Sequence, residues 1–422
     1  MTSSTSSQSP DKVSPPPAQP SNWLVLVATL TVQSLVAMAL LTLPVVAPLV
    51  AQTMGVSPSY VGLYVALVYV GAMTASLVSG AGVRRFGAIR LSQMGLASCA
   101  IGVLLCTVTW VPSMALGALL IGIGYGPITP ASSHLLVRTT PAHRLSLVFS
   151  LKQTGVPLGG ALAGLIVPGL STVIGWQGAF WVVAVGALLC IALVQPLCRV
   201  LDADRDRAQR MSFGAGLSAP LRLVLKQRSL RLLALCSFMF SICQLSLTTY
   251  LVTWLNQDMA MSLIVAGVVL GVSQAAGVCG RMLWGYVSDR FLGAPRMLAL
   301  LGAMIILSSL GIALLGRDAP MWLILVPVVI MGASAIGWNG VYLAEVARQA
   351  PPGQAGLATG GTLAFTFLGV VVGPPLFGLI AGLAGNYGVA YATLVVPGLI
   401  CMLVMWRRRD VFTPRTLPAR GA

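Results

Sequence analysis

Apolar stretches of 18 residues or more recur along the whole chain, separated by short polar connections. Each is long enough to cross a hydrocarbon core of ~30 Å as a helix. They lack the polar–apolar alternation of barrel strands, and in lipid only helices and closed barrels satisfy the backbone. The pattern predicts twelve membrane helices, near 24–51, 59–79, 91–109, 114–137, 145–168, 179–200, 232–256, 262–287, 297–316, 321–344, 357–382 and 388–406.

The longest polar connection, 201–231, splits these into six and six. The expected organisation is a Ser/Pro-rich disordered tail over 1–22, a first half over 23–200 and a central loop over 201–231. A second half over 232–409 and a tail over 410–422 follow. The first residues lack the basic, apolar and cleavage-site order of a signal peptide, so the first run is expected to stay as a membrane helix.

With 57% hydrophobic and 8% charged residues in 422, a soluble protein could not cover its surface. The net charge of +16 would suit a nucleic-acid partner, but its placement explains it otherwise. With the N-terminus inside, 22 of the 25 basic residues fall in loops and tails on one side. The exceptions are Arg317, in an outer loop, and Lys152 and Arg281, inside spans. This follows the positive-inside rule. It places both termini in the cytoplasm of a bacterial-type inner membrane, and no nucleic-acid partner is expected. The eight cysteines lie in or at the ends of apolar segments without CxxC or Cys/His spacing, so buried structural thiols are expected and no metal site.

The halves look like parallel repeats. "GAGVRRFG" (Gly80 to Gly87) aligns with "GYVSDRFLG" (Gly285 to Gly293), and "GVPLGG" (Gly155 to Gly160) with "GPPLFG" (Gly373 to Gly378). "VRTTP" (Val137 to Pro141) aligns loosely with "ARQAP" (Ala347 to Pro351).

With these repeats, twelve spans and a central loop, the chain resembles the major facilitator superfamily from about residue 24 to 406. The Gly-x-x-x-Asp-Arg signature after the second span of a repeat stands intact at Gly285, Asp289 and Arg290. In the first copy Arg84 replaces the aspartate, while Gly80, Arg85, Phe86 and Gly87 fit. "GALLIGIGYGPITPASS" resembles the family's Gly-rich fourth helix, with an apolar residue around Ala118 where a basic one is common. The resemblance implies an all-α membrane protein of two pseudo-symmetric six-helix halves rocking around a central site. It also implies a gate latch of Gly285, Asp289 and Arg290, with Glu345 and Arg348 of the Glu-x-x-Arg pattern as partners for Arg290. Gly80, Arg85 and Gly87 form the first-half counterpart.

Of the nine acidic residues, eight fall in tails, loops or span ends, and Glu345 sits at the end of the tenth span. The membrane interior is therefore expected to hold two cations, Lys152 and Arg281, and no facing carboxylate. Each lies eight residues from a loop charge, roughly 12 Å inward at 1.5 Å per residue. The resemblance makes the fifth and eighth spans neighbours, which brings the two cations together. Cations at one depth repel in low dielectric, and an anion between them relieves this. A guanidinium suits bidentate carboxylate binding, and Arg281 with Gly285 resembles the eighth-helix arginine of monocarboxylate and oxalate/formate-type carriers. The rival readings are a Lys152 stem reaching for water and an Arg281 bonded to helix-end carbonyls.

Gly267, Gly271, Ala275 and Cys279 form a small-residue ladder, while Gln274 shares a face with Arg281. Gln33, Gln244, Asn339 and Tyr342, with Tyr69, Tyr125, Tyr250 and Trp338, are candidate cavity polar groups. His134 and His143 read as interface residues at the end of the fourth span. No Walker loop, dinucleotide fingerprint or catalytic-triad spacing is present, so neither an enzyme nor a cofactor is expected. The expectation is a monomeric secondary transporter of a small organic anion, a carboxylate. Arg281 and Lys152 with Gln33, Gln244, Gln274, Asn339 and Tyr342 bind it, and protons or exchange provide the coupling. Rivals are an exporter of hydrophobic or cationic compounds, supported by "GVPLGG", and a non-transporting sensor.

Overall fold

A computed structural model describes residues 21–141, 144–206, 208, 218–351, 354–407 and 411. Most of both expected tails, His143 and residues 209–217 of the central loop lie outside the described residues. Eleven helical stretches are long and apolar enough to cross a bilayer, and one of them, Val148–Leu201, is two. At Gly175 (φ 75°, ψ 162°) the chain leaves helical geometry, a conformation open only to a residue without Cβ. Twelve spans result. The first is Asn22–Met54, the second Pro58–Phe86, the third Ala88–Leu105 and the fourth Val111–Thr139. The fifth and sixth cover 148–174 and 176–201. The seventh is Arg228–Gln257, the eighth Leu263–Leu292, the ninth Ala294–Ala313, the tenth Met321–Gln349, the eleventh Gly356–Ala384 and the twelfth Tyr387–Arg407.

The central connection is not all loop. Ser218–Lys226 is helical, and its Pro220 and Val224 pack against Gly361 of the eleventh span. The run is amphipathic and too short to span, so the length criterion for membrane helices passes over it.

The halves meet along two antiparallel seams, second span on eleventh and fifth on eighth. In the second seam a methyl on Gly164 would stand 2.6 Å from the Gly267 carbonyl, closer than any real contact. Such backbone approach is how membrane helices gain packing without a hydrophobic driving force. The expected ladder leaves this seam after Gly267. Gly271 is in ordinary contact with Leu165 at 3.4 Å, while Ala275 and Cys279 are exposed. Each four-residue step turns the face by about 40°, so three steps carry Cys279 off the contact. The expectation of eight buried thiols is corrected here: seven are buried and Cys279 is not.

At the end of the molecule away from the basic loops, the halves are tied. The Tyr250 hydroxyl lies 2.7 Å from the Ser59 carbonyl and 3.0 Å from that of Pro374. The Ser59 hydroxyl lies 3.3 Å from that of Tyr387. Asp258 accepts the Tyr387 N–H at 2.8 Å. Tyr250, expected in a cavity, thus belongs to this closure.

Candidate functional site

Among the spans that break are the fourth, the fifth and the tenth. The fifth stops at Gln153 and restarts at Gly155. The tenth stops at Ala335 and restarts at Asn339. The fourth is interrupted at Gly126–Pro127. A break leaves carbonyls without their helical donors, and inside a membrane these need partners. Arg281 supplies two, donating from Nε to the Ile336 carbonyl at 3.1 Å and from Nη1 to the Gln153 carbonyl at 2.9 Å. One turn on, Trp284 donates to the Ala333 carbonyl at 2.7 Å. Arg281 therefore joins the break of the fifth span to that of the tenth, across the seam between halves.

Lys152 precedes the carbonyl that Arg281 holds. It is 1% exposed. Its ammonium turns inward to donate to the Thr129 hydroxyl at 3.3 Å, not toward the end of the span. Thr129 donates on to Gln33 Oε1 at 3.3 Å, and Gln33 Nε2 has no partner among the described residues. On the other side, Gln244 Oε1 accepts from Trp338 Nε1 at 2.9 Å and Asn339 Nδ2 at 3.4 Å. Trp338 packs between Phe240, with centroids 5.3 Å apart, and Tyr342, 5.0 Å apart.

Two polar clusters thus flank Arg281, one from each half. No carboxylate pairs with Arg281 or Lys152 among the described residues. Arg281, Gln244 and Asn339 are partly exposed, and Thr129 is exposed in mid-span. Lys152, Gln33, Gln274 and Tyr342 are buried. Gln274 lies against the Gly160 backbone, inside the seam. Beside Arg281, within electrostatic reach, stands Tyr125. Its ring lies 5.9 Å from Tyr69, which in turn lies 6.1 Å from Phe367 of the other half.

A sequence model of the Major Facilitator Superfamily matches residues 29–362. The chain belongs to that superfamily. It is a multi-pass membrane protein of a transporter family, not an enzyme. It is similar to the benzoate transport protein of Acinetobacter baylyi, 20% identical over 93% of this chain and 90% of the relative. The 3-(3-hydroxy-phenyl)propionate transporter of Escherichia coli is 25% identical over 86% and 89%. An uncharacterized MFS-type transporter of Mycobacterium tuberculosis is 25% identical over 64% of this chain, a match spanning 59% of that relative. The solved structure of a bacterial homolog to the human lysosomal transporter Spinster shares the fold, with a TM-score of 0.68 at 16% identity, covering 94% and 96% of the two chains.

The superfamily signature lies at the basic end. Asp289 Oδ1 is 3.6 Å from Arg348, whose Nε is 3.1 Å from Glu345. Glu345 also accepts from Gln349 at 2.8 Å. The expected partnership differs: Arg348 bridges the two acids, and neither lies within ion-pair distance of Arg290. Asp289 and Arg348 are 71% and 51% exposed, so this pair adds little stability. Added methyls on Gly80 and Gly285 would meet nothing within 4 Å, in contrast to the seam glycines.

In the first copy, where Arg84 stands in place of the motif aspartate, a carboxylate reaches the start of the third span from beyond the sixth, that of Asp202. Its carboxylate accepts the Ile89 and Arg90 N–H groups at 2.8 and 2.9 Å, capping the third span beside Gly87. His134 and Arg138 both bind Asp204, at 2.8 and 2.6 Å. Burial pushes the Asp204 carboxyl up, but the His134 hydrogen bond and the Arg138 charge outweigh this and hold it low. Sequence reasoning passed over Thr129, Phe367 and the Gln153 and Ile336 carbonyls. Only "GPITP" in the fourth span, where prolines flank Thr129, signals a break there.

Proposed function

We propose that the protein carries a small organic anion, an aromatic carboxylate, by alternating access of the two halves, as a monomer with cytoplasmic termini. The carrying observation is Arg281. Two of its donor nitrogens hold backbone carbonyls, its Nη2 has no protein acceptor among the described residues, and no carboxylate balances its charge. Five N–H donors in a planar fork leave room for a ligand carboxylate. Tyr125 supplies a ring beside it, followed by the rings of Tyr69 and Phe367 in series. Relatives named for benzoate and 3-(3-hydroxy-phenyl)propionate transport support the aromatic class.

The tied end at Tyr250 and the open latch glycines, Gly80 and Gly285, support a state in which substrate reaches Arg281 from the basic side. Gln33, Gln244, Gln274, Asn339 and Tyr342 shape the site behind Arg281 and Lys152. Asp289, Arg290, Glu345 and Arg348, with Gly80, Arg85 and Gly87, form the latch that engages when the basic end closes. Coupling runs through a proton or a counter-anion, and collapse of uptake by a protonophore selects the proton.

The test is thermal stabilisation of the purified chain by benzoate-class carboxylates. We expect Arg281→Gln to weaken it at least tenfold, about 1.4 kcal/mol. Lys152→Gln, which leaves both helix-break carbonyls bonded, is expected to weaken it in the same direction. Equal stabilisation of wild type and both variants would remove the anion site.

A further inference from the structure

A second cationic site stands outside the transport path, at the basic corner of the first half. A cavity of about 820 Å³ opens between the start of the third span and the end of the sixth. Arg90, Arg199 and Arg205 line it, with Gln195, Pro196 and Asp202. Asp202 is the one carboxylate in the lining, and both its oxygens are taken by the Ile89 and Arg90 N–H groups. Its neighbours are also engaged: Asp204 by His134 and Arg138, and Asp206 by the Ala208 N–H at 2.9 Å. None of the three arginines lies within ion-pair distance of a carboxylate among the described residues.

The surroundings increase the imbalance. Arg84, exposed in the last turn of the second span, stands where the second repeat has Asp289, and its carbonyl accepts the Asp206 N–H at 2.7 Å. The corner has therefore exchanged its motif carboxylate for a further cation. One turn deeper from Arg90, Met94 is exposed, and Leu193 beside the lining Ala192 is 77% exposed. Apolar side chains are thus exposed next to the charged mouth on both spans.

We propose that this cavity holds the phosphodiester headgroup of an anionic phospholipid, its acyl chains lying on Met94 and Leu193. Guanidiniums with no carboxylate within ion-pair distance match phosphate oxygens in geometry and charge. Basic pockets between membrane helices on the cytoplasmic side favour anionic over zwitterionic headgroups. The site joins the third span, through the Asp202 cap, to the sixth, so an occupant ties two outer spans of one half.

Native mass spectrometry of the full chain, purified in detergent with equal phosphatidylglycerol and phosphatidylcholine, reads retained lipid. Phosphatidylglycerol is expected to be retained at least ~10-fold over phosphatidylcholine. The triple substitution Arg90→Gln, Arg199→Gln, Arg205→Gln should remove that preference, and Arg317→Gln at the other end should keep it. If the triple variant is not monodisperse, Arg199→Gln alone should reduce retention severalfold. Equal retention of the two lipids, or unchanged preference in the arginine variants, overturns the proposal. Stabilisation by inorganic phosphate without retained phosphatidylglycerol also overturns it, in favour of a free phosphate ligand.

Discussion

Arg281 is held by the Gln153 and Ile336 carbonyls, which take two of its donor nitrogens. A lysine there has one rotatable ammonium and cannot span two carbonyls and a ligand in one plane. Arg281→Lys is therefore expected to weaken carboxylate-dependent stabilisation about tenfold or more despite keeping the charge, read as the concentration giving half the maximal rise in Tm. Asp202 acts on a different quantity. It caps the third span from another part of the chain, so Asp202→Ala is expected to cost about 0.5–2 kcal/mol in unfolding free energy. An unchanged Tm would mean the cap is replaced by water. At this scale the sequence was partly legible. Arg281 stood out because a charge in an apolar run is costly, whereas Asp202 lay in a polar loop among other acids, where nothing local marks a cap for residues 89 and 90.

Among elements, the contrast lies between glycines in different settings. Gly164 and Gly267 sit backbone to backbone in the seam of the halves, while Gly285 faces open space. Gly164→Leu is expected to destabilise by about 1–3 kcal/mol or to prevent assembly, because the seam cannot widen locally. Gly285→Ala should leave thermal unfolding within about 0.5 kcal/mol. Asp289→Asn should likewise change stability by under about 1 kcal/mol, since the Arg348 pair is exposed. It should nevertheless slow transport in proteoliposomes, and a full transport rate would remove the latch role. Span positions followed from hydropathy alone. The helix breaks did not, because an interruption of one to three residues barely alters an apolar average.

On the scale of the whole molecule, the halves are tied where Tyr250 meets Ser59, and nothing packs against the latch glycines Gly80 and Gly285. Labelling checks this arrangement. In a Cys279→Ser background, Gly285→Cys should react with a polar maleimide added from the basic side, and a bound carboxylate should slow the reaction severalfold. Tyr250→Phe removes a shared hydrogen bond worth about 1 kcal/mol, and should slow labelling even without ligand by releasing the tied end. Labelling that ignores both ligand and Tyr250 would mean that the halves do not rock.

From the sequence by itself came the twelve spans, the six-plus-six repeat and the two membrane-embedded cations, because bilayer thickness and the cost of buried charge act on local composition. Tertiary structure alone decided what those cations touch, which glycines form seams and that Asp202 caps the third span. These depend on backbone carbonyls and close approaches between segments as far apart as Ile89 and Asp202 or Gln153 and Arg281. A carbonyl has no letter in the sequence, and its availability exists only once a helix breaks and a neighbour comes within reach.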